Sequence, residues 1–177
     1  MRSEKGSVSS RAKARVAQVA TRTSGWLGSR ARCEQERIPS AAMVNQIVVA
    51  GAIVAESMVL IAQRTRPPEL AGRWELPGGK VAAGETEPEA LARELAEELG
   101  VVVAVGERLG DDVELNPTMT LRAYAAALVR GEPQPHDHSA LRWLSPAELN
   151  DVDWVPADRG FLPALNRMLT TATEAPR

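Results

Sequence analysis

The sequence is poor in the residues that build cross-links and zinc sites. Its 177 residues include one cysteine, Cys33, and two histidines, His136 and His138. One thiol excludes a disulfide framework or a thiolate metal cluster formed within the chain. It fits a reducing compartment, and the cytoplasm is the expected location. Two histidines at i and i+2, with no other histidine or cysteine nearby, make a poor zinc site. Both are expected as solvent-exposed loop residues. No apolar run approaches the roughly 18 residues of a membrane span. The apolar stretch of a secretory signal is missing too, so export by that route is not expected. No internal repeat is visible.

Net charge is −2 but unevenly spread. Residues 1–42 hold nine Lys/Arg against three Asp/Glu, and the remainder twelve against twenty, a split of +6 and −8. The acidic part argues against a polynucleotide partner, which needs a basic surface to neutralise phosphates. It leaves room for a single nucleotide held through a divalent cation. Residues 1–42 are rich in Ser, Arg and Ala and lack long apolar periodicity, so disorder is expected there. Trp26 and Cys33 receive no functional role. An over-extended reading frame, with the true start at Met43, is preferred over a transit segment, which the Arg-rich, acid-poor composition also resembles. One domain is expected over residues 43–170, with a tail over 171–177.

The apolar, β-branched run 47–55 reads as a buried strand, and 58–62 as its hairpin partner across Glu56-Ser57. Residues 63–66 leave as a basic loop that Pro67-Pro68 keeps extended. Further strands are expected over 101–105, 111–115, 119–129 and 141–144, with a turn at 106–110 and a loop at 132–139. Ser145-Pro146-Ala147-Glu148 opens a short helix. A last helix is expected over 158–169, with Asp158 as a candidate N-cap and Pro163 near its start. Tyr124 and Trp74 read as structural.

The stretch 78–101 carries the chemistry. Thr86 and Glu89 form a capping box, Pro88 falls in the first turn, and Gly100 is placed as a C-cap. Leu91, Leu95 and Leu99 make one apolar face. Glu94, Glu97 and Glu98, at i, i+3 and i+4, share another. Like charges at that spacing cost roughly 0.2–0.5 kcal/mol per pair, a penalty that a cation between them reverses. Carboxylate oxygens suit a hard divalent ion such as Mg²⁺. Arg93 can pair with Glu97 four residues on and with Glu85. Gly78, Gly79 and Gly84 form a loop that lets backbone approach an ion or a phosphate.

Gly79, Glu85, Arg93, Glu94, Leu95, Glu97, Glu98, Gly100 and Val101 stand at the spacing of the Nudix signature, and from residue 46 to 169 the chain resembles the MutT-like branch of the Nudix hydrolases. The resemblance implies an α/β fold, an α/β/α sandwich with a mixed central sheet, a signature helix and a C-terminal helix. Periodicity alone gives only α/β or α+β. It also implies a Mg²⁺ ion, with Mn²⁺ as a substitute, held by Glu94, Glu97, Glu98 and the Gly78 carbonyl. Glu94 or Glu98 would activate water. Arg93 would hold a glutamate in place. Asp137 would ligate a second ion or act as base. Arg64 would grip phosphate, with Lys80 as a further contact and Arg66 a weaker one.

The implied reaction converts a nucleoside triphosphate to monophosphate and pyrophosphate, with no membrane partner, in a monomer or homodimer. After a similar Pro-Ala step the branch places a base-reading side chain, and an asparagine there goes with 8-oxoguanine; here it is Asp158. An ionised aspartate only accepts hydrogen bonds, which matches the cytosine amine. Cytidine nucleotides (CTP, dCTP, 5-methyl-dCTP) therefore lead. The alternative is 8-oxo-dGTP or 8-oxo-GTP, in nucleotide-pool sanitation and DNA repair, if burial keeps Asp158 protonated. A non-catalytic nucleotide sensor is the reading of another class, and a sugar-nucleotide or dinucleotide hydrolase fits less well.

Overall fold

The computed structural model describes residues 45–174. Residues 1–42 and the expected start at Met43 lie outside the described residues. The chain opens with a hairpin of β1 (Gln46–Ala55) and β2 (Met58–Gln63). Its two-residue turn, Glu56-Ser57, has φ of 49° and 62°, the left-handed pair that matches strand twist in tight hairpins. The strands pair only near this turn, from Ile53↔Leu60 to Ala55↔Met58. Beyond it the sheet splits. β3 (Trp74–Glu75) takes the far end of β2, and β4 (Gly78–Lys80) takes the first half of β1. Gly78 and Gly79, expected in a loop, are thus strand residues.

β5 (Val102–Asn116) and β6 (Met119–Arg130) complete one side, with β6 parallel to β1. On the other side β7 (Ala140–Leu144) pairs with β2. The path runs β3-β2-β1-β6-β5. The turn expected at 106–110 does not form: β5 is one strand of 15 residues. Four register shifts against β6 absorb the extra residues, as bulges do, and Gly110 with φ +69° lies at one of them.

Alternation along β1 sends Val49 and Ile53 to one face and Ala50 and Ala52 to the other. The first face packs α1 (Glu87–Leu99) through Leu91, Leu95 and Leu99, all fully buried. Gly51 lets this helix approach: a Cβ there would lie 2.9 Å from Leu95 Cδ1. The second face packs α2 (Leu162–Glu174) through Leu165 and Leu169, with Trp154 and Phe161 beneath. The result is an α/β/α sandwich with a mixed sheet. No helix among the described residues is long and apolar enough to cross a membrane.

The C-terminal helix begins differently from expectation. Asp158–Phe161 is a 3₁₀ turn, Pro163 falls in the first turn of α2, and α2 runs on to Glu174, past the expected start of the tail. Pro146–Glu148 is likewise a 3₁₀ turn, with Ser145 and Glu148 forming its capping box.

Candidate active site

α1 is held at both ends as its residues dictate. Glu89 accepts from the Thr86 N–H at 2.9 Å, and Gly100 closes the helix at φ 70°. With the leucines buried, Arg93, Glu94 and Glu98 face the split in the sheet, where β4 lies. Arg93 organises this face. Its Nε and Nη2 each donate to a Glu85 oxygen at 2.9 Å, and Nη1 donates to Glu94 at 2.9 Å. Nη2 also reaches the Lys80 carbonyl at 3.2 Å, and Glu97 lies 3.6 Å from Nη1. The Arg93 hydrogen bond holds Glu85 well below the usual carboxylate range, at about 2. Arg93 touches three carboxylates: Glu85 and Glu97, which the sequence offered as partners, and Glu94 besides.

Glu94 lies over Gly79, where a Cβ would come within 2.3 Å of its carboxylate carbon. Glu98 accepts from the Gly78 N–H at 3.1 Å. Burial lifts Glu98 to about 7; His138 opposes the rise, and the charges of Glu75 and Glu94 add to it. Glu97 is the exposed member of the three, at 62%.

Two residues enter the site that the sequence did not nominate. Glu75, on β3, pairs with Arg64 through one oxygen. Its other oxygen lies 3.2 Å from His138 Nε2. The expectation of two exposed histidines fails for His138, whose side chain is only 5% exposed. It holds for His136, which stays exposed with Nδ1 3.0 Å from the Glu97 carbonyl. The position of Glu75 shortly before the glycine run, separated from it by Leu76-Pro77, was the one available signal. His138 gave none, because its burial comes from β3 and not from its own loop.

Two cavities meet here. The smaller, about 110 Å³, is polar and lined by Arg64, Arg66, Glu75, Glu98, Asp137 and His138. Asp137 stands at its rim, 3.6 Å from Arg66. The larger, about 320 Å³, is walled mainly by apolar side chains, among them Leu70, Leu76, Met119 and Val155, with Lys80 and Asp158 also in its lining. Arg64, Glu75 and Gly78 belong to both.

Asp158 is the one buried charged residue among the described residues. Its candidacy as N-cap is corrected: Ala157 holds that position without a side-chain cap. The Asp158 carboxyl instead accepts from the Leu76 N–H at 3.1 Å. Burial pushes it to about 7.

Among the described residues no three carboxylate, imidazole or thiol groups stand close enough, as placed, to enclose an ion. Arg93 and the Gly78 N–H occupy Glu94 and Glu98. The donor chemistry nonetheless fits Mg²⁺. The groups are oxygens, and Glu75 and Glu94 raise the cost of charge on Glu98, which a divalent cation would relieve.

The NUDIX domain family matches residues 45–165. A protein of Mycobacterium tuberculosis named putative 8-oxo-dGTP diphosphatase 2 is 69% identical over 130 residues, covering 72% of this chain and 92% of that protein. The CTP pyrophosphohydrolase of Escherichia coli K12 is 39% identical over 119 residues, covering 66% and 88%. The solution structure of the E. coli ORF135 protein superposes with a TM-score of 0.64 at 36% identity, covering 78% of this chain and 99% of that one.

Proposed function

The chain belongs to the NUDIX family, in its MutT-like branch, and from that premise we propose that it hydrolyses an oxidised guanine nucleoside triphosphate, 8-oxo-dGTP or 8-oxo-GTP, to the monophosphate and pyrophosphate. Nucleoside triphosphate pyrophosphohydrolysis is the general activity that this membership supports.

The burial of Asp158 in the larger cavity carries the choice of base. A carboxyl that is 4% exposed among apolar walls favours its neutral form. One oxygen takes the Leu76 N–H, and a protonated second oxygen donates to a guanine O6 acceptor. The 69% identical relative, by its name, points the same way. The preference for cytidine nucleotides, which assumed an ionised Asp158, becomes the second reading. It is favoured by the relative named CTP pyrophosphohydrolase and by the ionised form at higher pH.

The phosphates would lie toward the smaller cavity, with Arg64 at the shared wall and Lys80 at the edge of the larger. Glu94, Glu97 and Glu98, with the Gly78 carbonyl, would hold Mg²⁺, or Mn²⁺ in its place. When bound, the ion neutralises phosphate charge and acidifies coordinated water. Arg93 keeps Glu94 and Glu97 in register. Glu94 or Glu98 would take the proton of the attacking water, with Asp137 at the rim as the further acidic group.

The test is a panel of 8-oxo-dGTP, dGTP, CTP, dCTP and dTTP, assayed for pyrophosphate release at pH 6 and pH 8, with and without Mg²⁺. We expect 8-oxo-dGTP to lead at pH 6 and its lead over CTP to shrink at pH 8. The reading is falsified if CTP leads at pH 6. Tight nucleotide binding without turnover in Mg²⁺ would instead leave a sensor.

A further inference from the structure

His138 owes its burial to long-range pairing. The Ser139 N–H donates to the Gln63 carbonyl at 2.9 Å, and Ala140 pairs with Gln63. This sets the preceding imidazole against β3. Nε2 meets Glu75 Oε1 at 3.2 Å. Nδ1 is the one buried side-chain nitrogen or oxygen without a partner among the described residues. A carboxylate accepts and cannot donate, so the proton belongs on Nε2. In the neutral ring Nδ1 is then a buried, unmet acceptor, which is costly. An apolar side chain would fill the same space without that cost. Packing alone therefore gives no reason for an imidazole here, and the contact to Glu75 does.

Glu75 uses its other oxygen for Arg64. Arg64 Nε donates to the Arg66 carbonyl at 2.9 Å. The guanidinium is thus fixed at two points on the wall common to both cavities. Without the His138 donor, Glu75 is free to turn and take Arg64 with both oxygens, the arrangement such pairs favour. The guanidinium edge that faces the cavities would turn with it.

We propose that His138 is a positioning residue for substrate binding: it pins Glu75, and through Glu75 it holds Arg64 where the phosphates of the nucleotide arrive. This rests on the reading of the site as a nucleoside triphosphate pyrophosphohydrolase centre. Arg64 would serve ground state and transition state alike, so the loss falls on KM and not on kcat.

The experiment is steady-state hydrolysis in Mg²⁺ of whichever triphosphate in the panel the wild-type chain cleaves fastest. His138→Phe retains a ring and removes the donor. It is expected to raise KM about tenfold, the scale of one hydrogen bond to a charged group, with kcat within about twofold. His138→Gln, which retains an N–H donor, should restore KM to within about threefold. In an Arg64→Ala background His138→Phe should add less than about twofold, since coupled residues are not additive. A full additional tenfold loss there overturns the proposal, as does a fall in kcat at unchanged KM, or a glutamine variant no better than phenylalanine. If circular dichroism shows His138→Phe unfolded, Glu75→Gln takes its place in the same two backgrounds, with the same expected KM rise and the same non-additivity. A wild-type chain that cleaves none of the triphosphates refutes the functional reading and this inference together. Failure of the variants alone refutes only the role of His138.

Discussion

Replacing Gly79 by alanine should separate the stability of the fold from the chemistry of the site. A Cβ at this position would lie 2.3 Å from the Glu94 carboxylate carbon and 2.5 Å from each of its oxygens, where ordinary contact begins near 3.4 Å. The carboxylate must therefore withdraw by about 1 Å, a displacement that costs on the order of 100-fold in rate when it misplaces a reacting group. In free energy that is about 2.7 kcal/mol at the transition state. Folding should barely register the change. Glu94 is the end of a flexible side chain and can swing aside without moving backbone. Loosening its partly exposed pair with Arg93 costs under about 1 kcal/mol. Removing glycine from an extended position returns about 0.4–1 kcal/mol through the unfolded chain. Gly78→Ala is the opposing control. Its Cβ would meet the Val49 carbonyl oxygen at 2.1 Å and the Ala50 Cα at 2.9 Å, on a backbone with φ +154°. Neither neighbour is free to yield, so this variant should unfold or melt far below the wild type. Thermal melts and steady-state hydrolysis in Mg²⁺ read both variants. A Gly79→Ala protein with wild-type kcat/KM would refute the placement of Glu94 in the reaction.

Asp158→Asn should flatten the pH dependence of stability. The folded state lifts this carboxyl from 3.8 to about 7, so it binds its proton more tightly than the unfolded chain does. Its stabilising contribution is full below the unfolded value and declines as pH rises toward 7, by a few kcal/mol at most. Denaturant melts at pH 5 and pH 8 should show that decline in the wild type and a smaller one in Asp158→Asn; equal declines would remove Asp158 as its source. Arg93→Lys loses the fork that holds Glu85, Glu94 and the Lys80 carbonyl together. We expect kcat/KM to drop roughly 10- to 100-fold, with under about 1 kcal/mol lost in stability because the pairs are partly exposed; unchanged turnover would mean Glu94 finds its place unaided. Thr86→Ala removes the capping box and should cost about 1 kcal/mol. It should leave kcat/KM intact, so a large kinetic defect would contradict a purely structural cap.

Short-range spacing carried much of this protein's description. The capping box of Thr86 and Glu89, the αL cap at Gly100, the buried leucine face and the Arg93 pair with Glu97 follow from helical geometry within a few residues, while Glu85 reaches Arg93 from the loop ahead of the helix. The Glu56-Ser57 turn was visible for the same reason. Gly106 and Gly110 misled because their role depends on β6: a long partner strand turned an apparent turn into bulges in one continuous strand.

The chemistry of Glu75, His138 and Asp158 was out of reach of such spacing. Glu75 meets His138 across 63 positions, and Asp158 meets the Leu76 N–H across 82. Pairing of β2 with β7 and the bridge between Trp74 and Trp154 bring those segments together. Whether an aspartate is an acceptor or a donor depends on the solvent its surroundings exclude, a property that no neighbouring residue in the chain encodes. Local sequence thus settled which residue types line one face of a helix; packing of distant segments settled which of them are dry and which are paired.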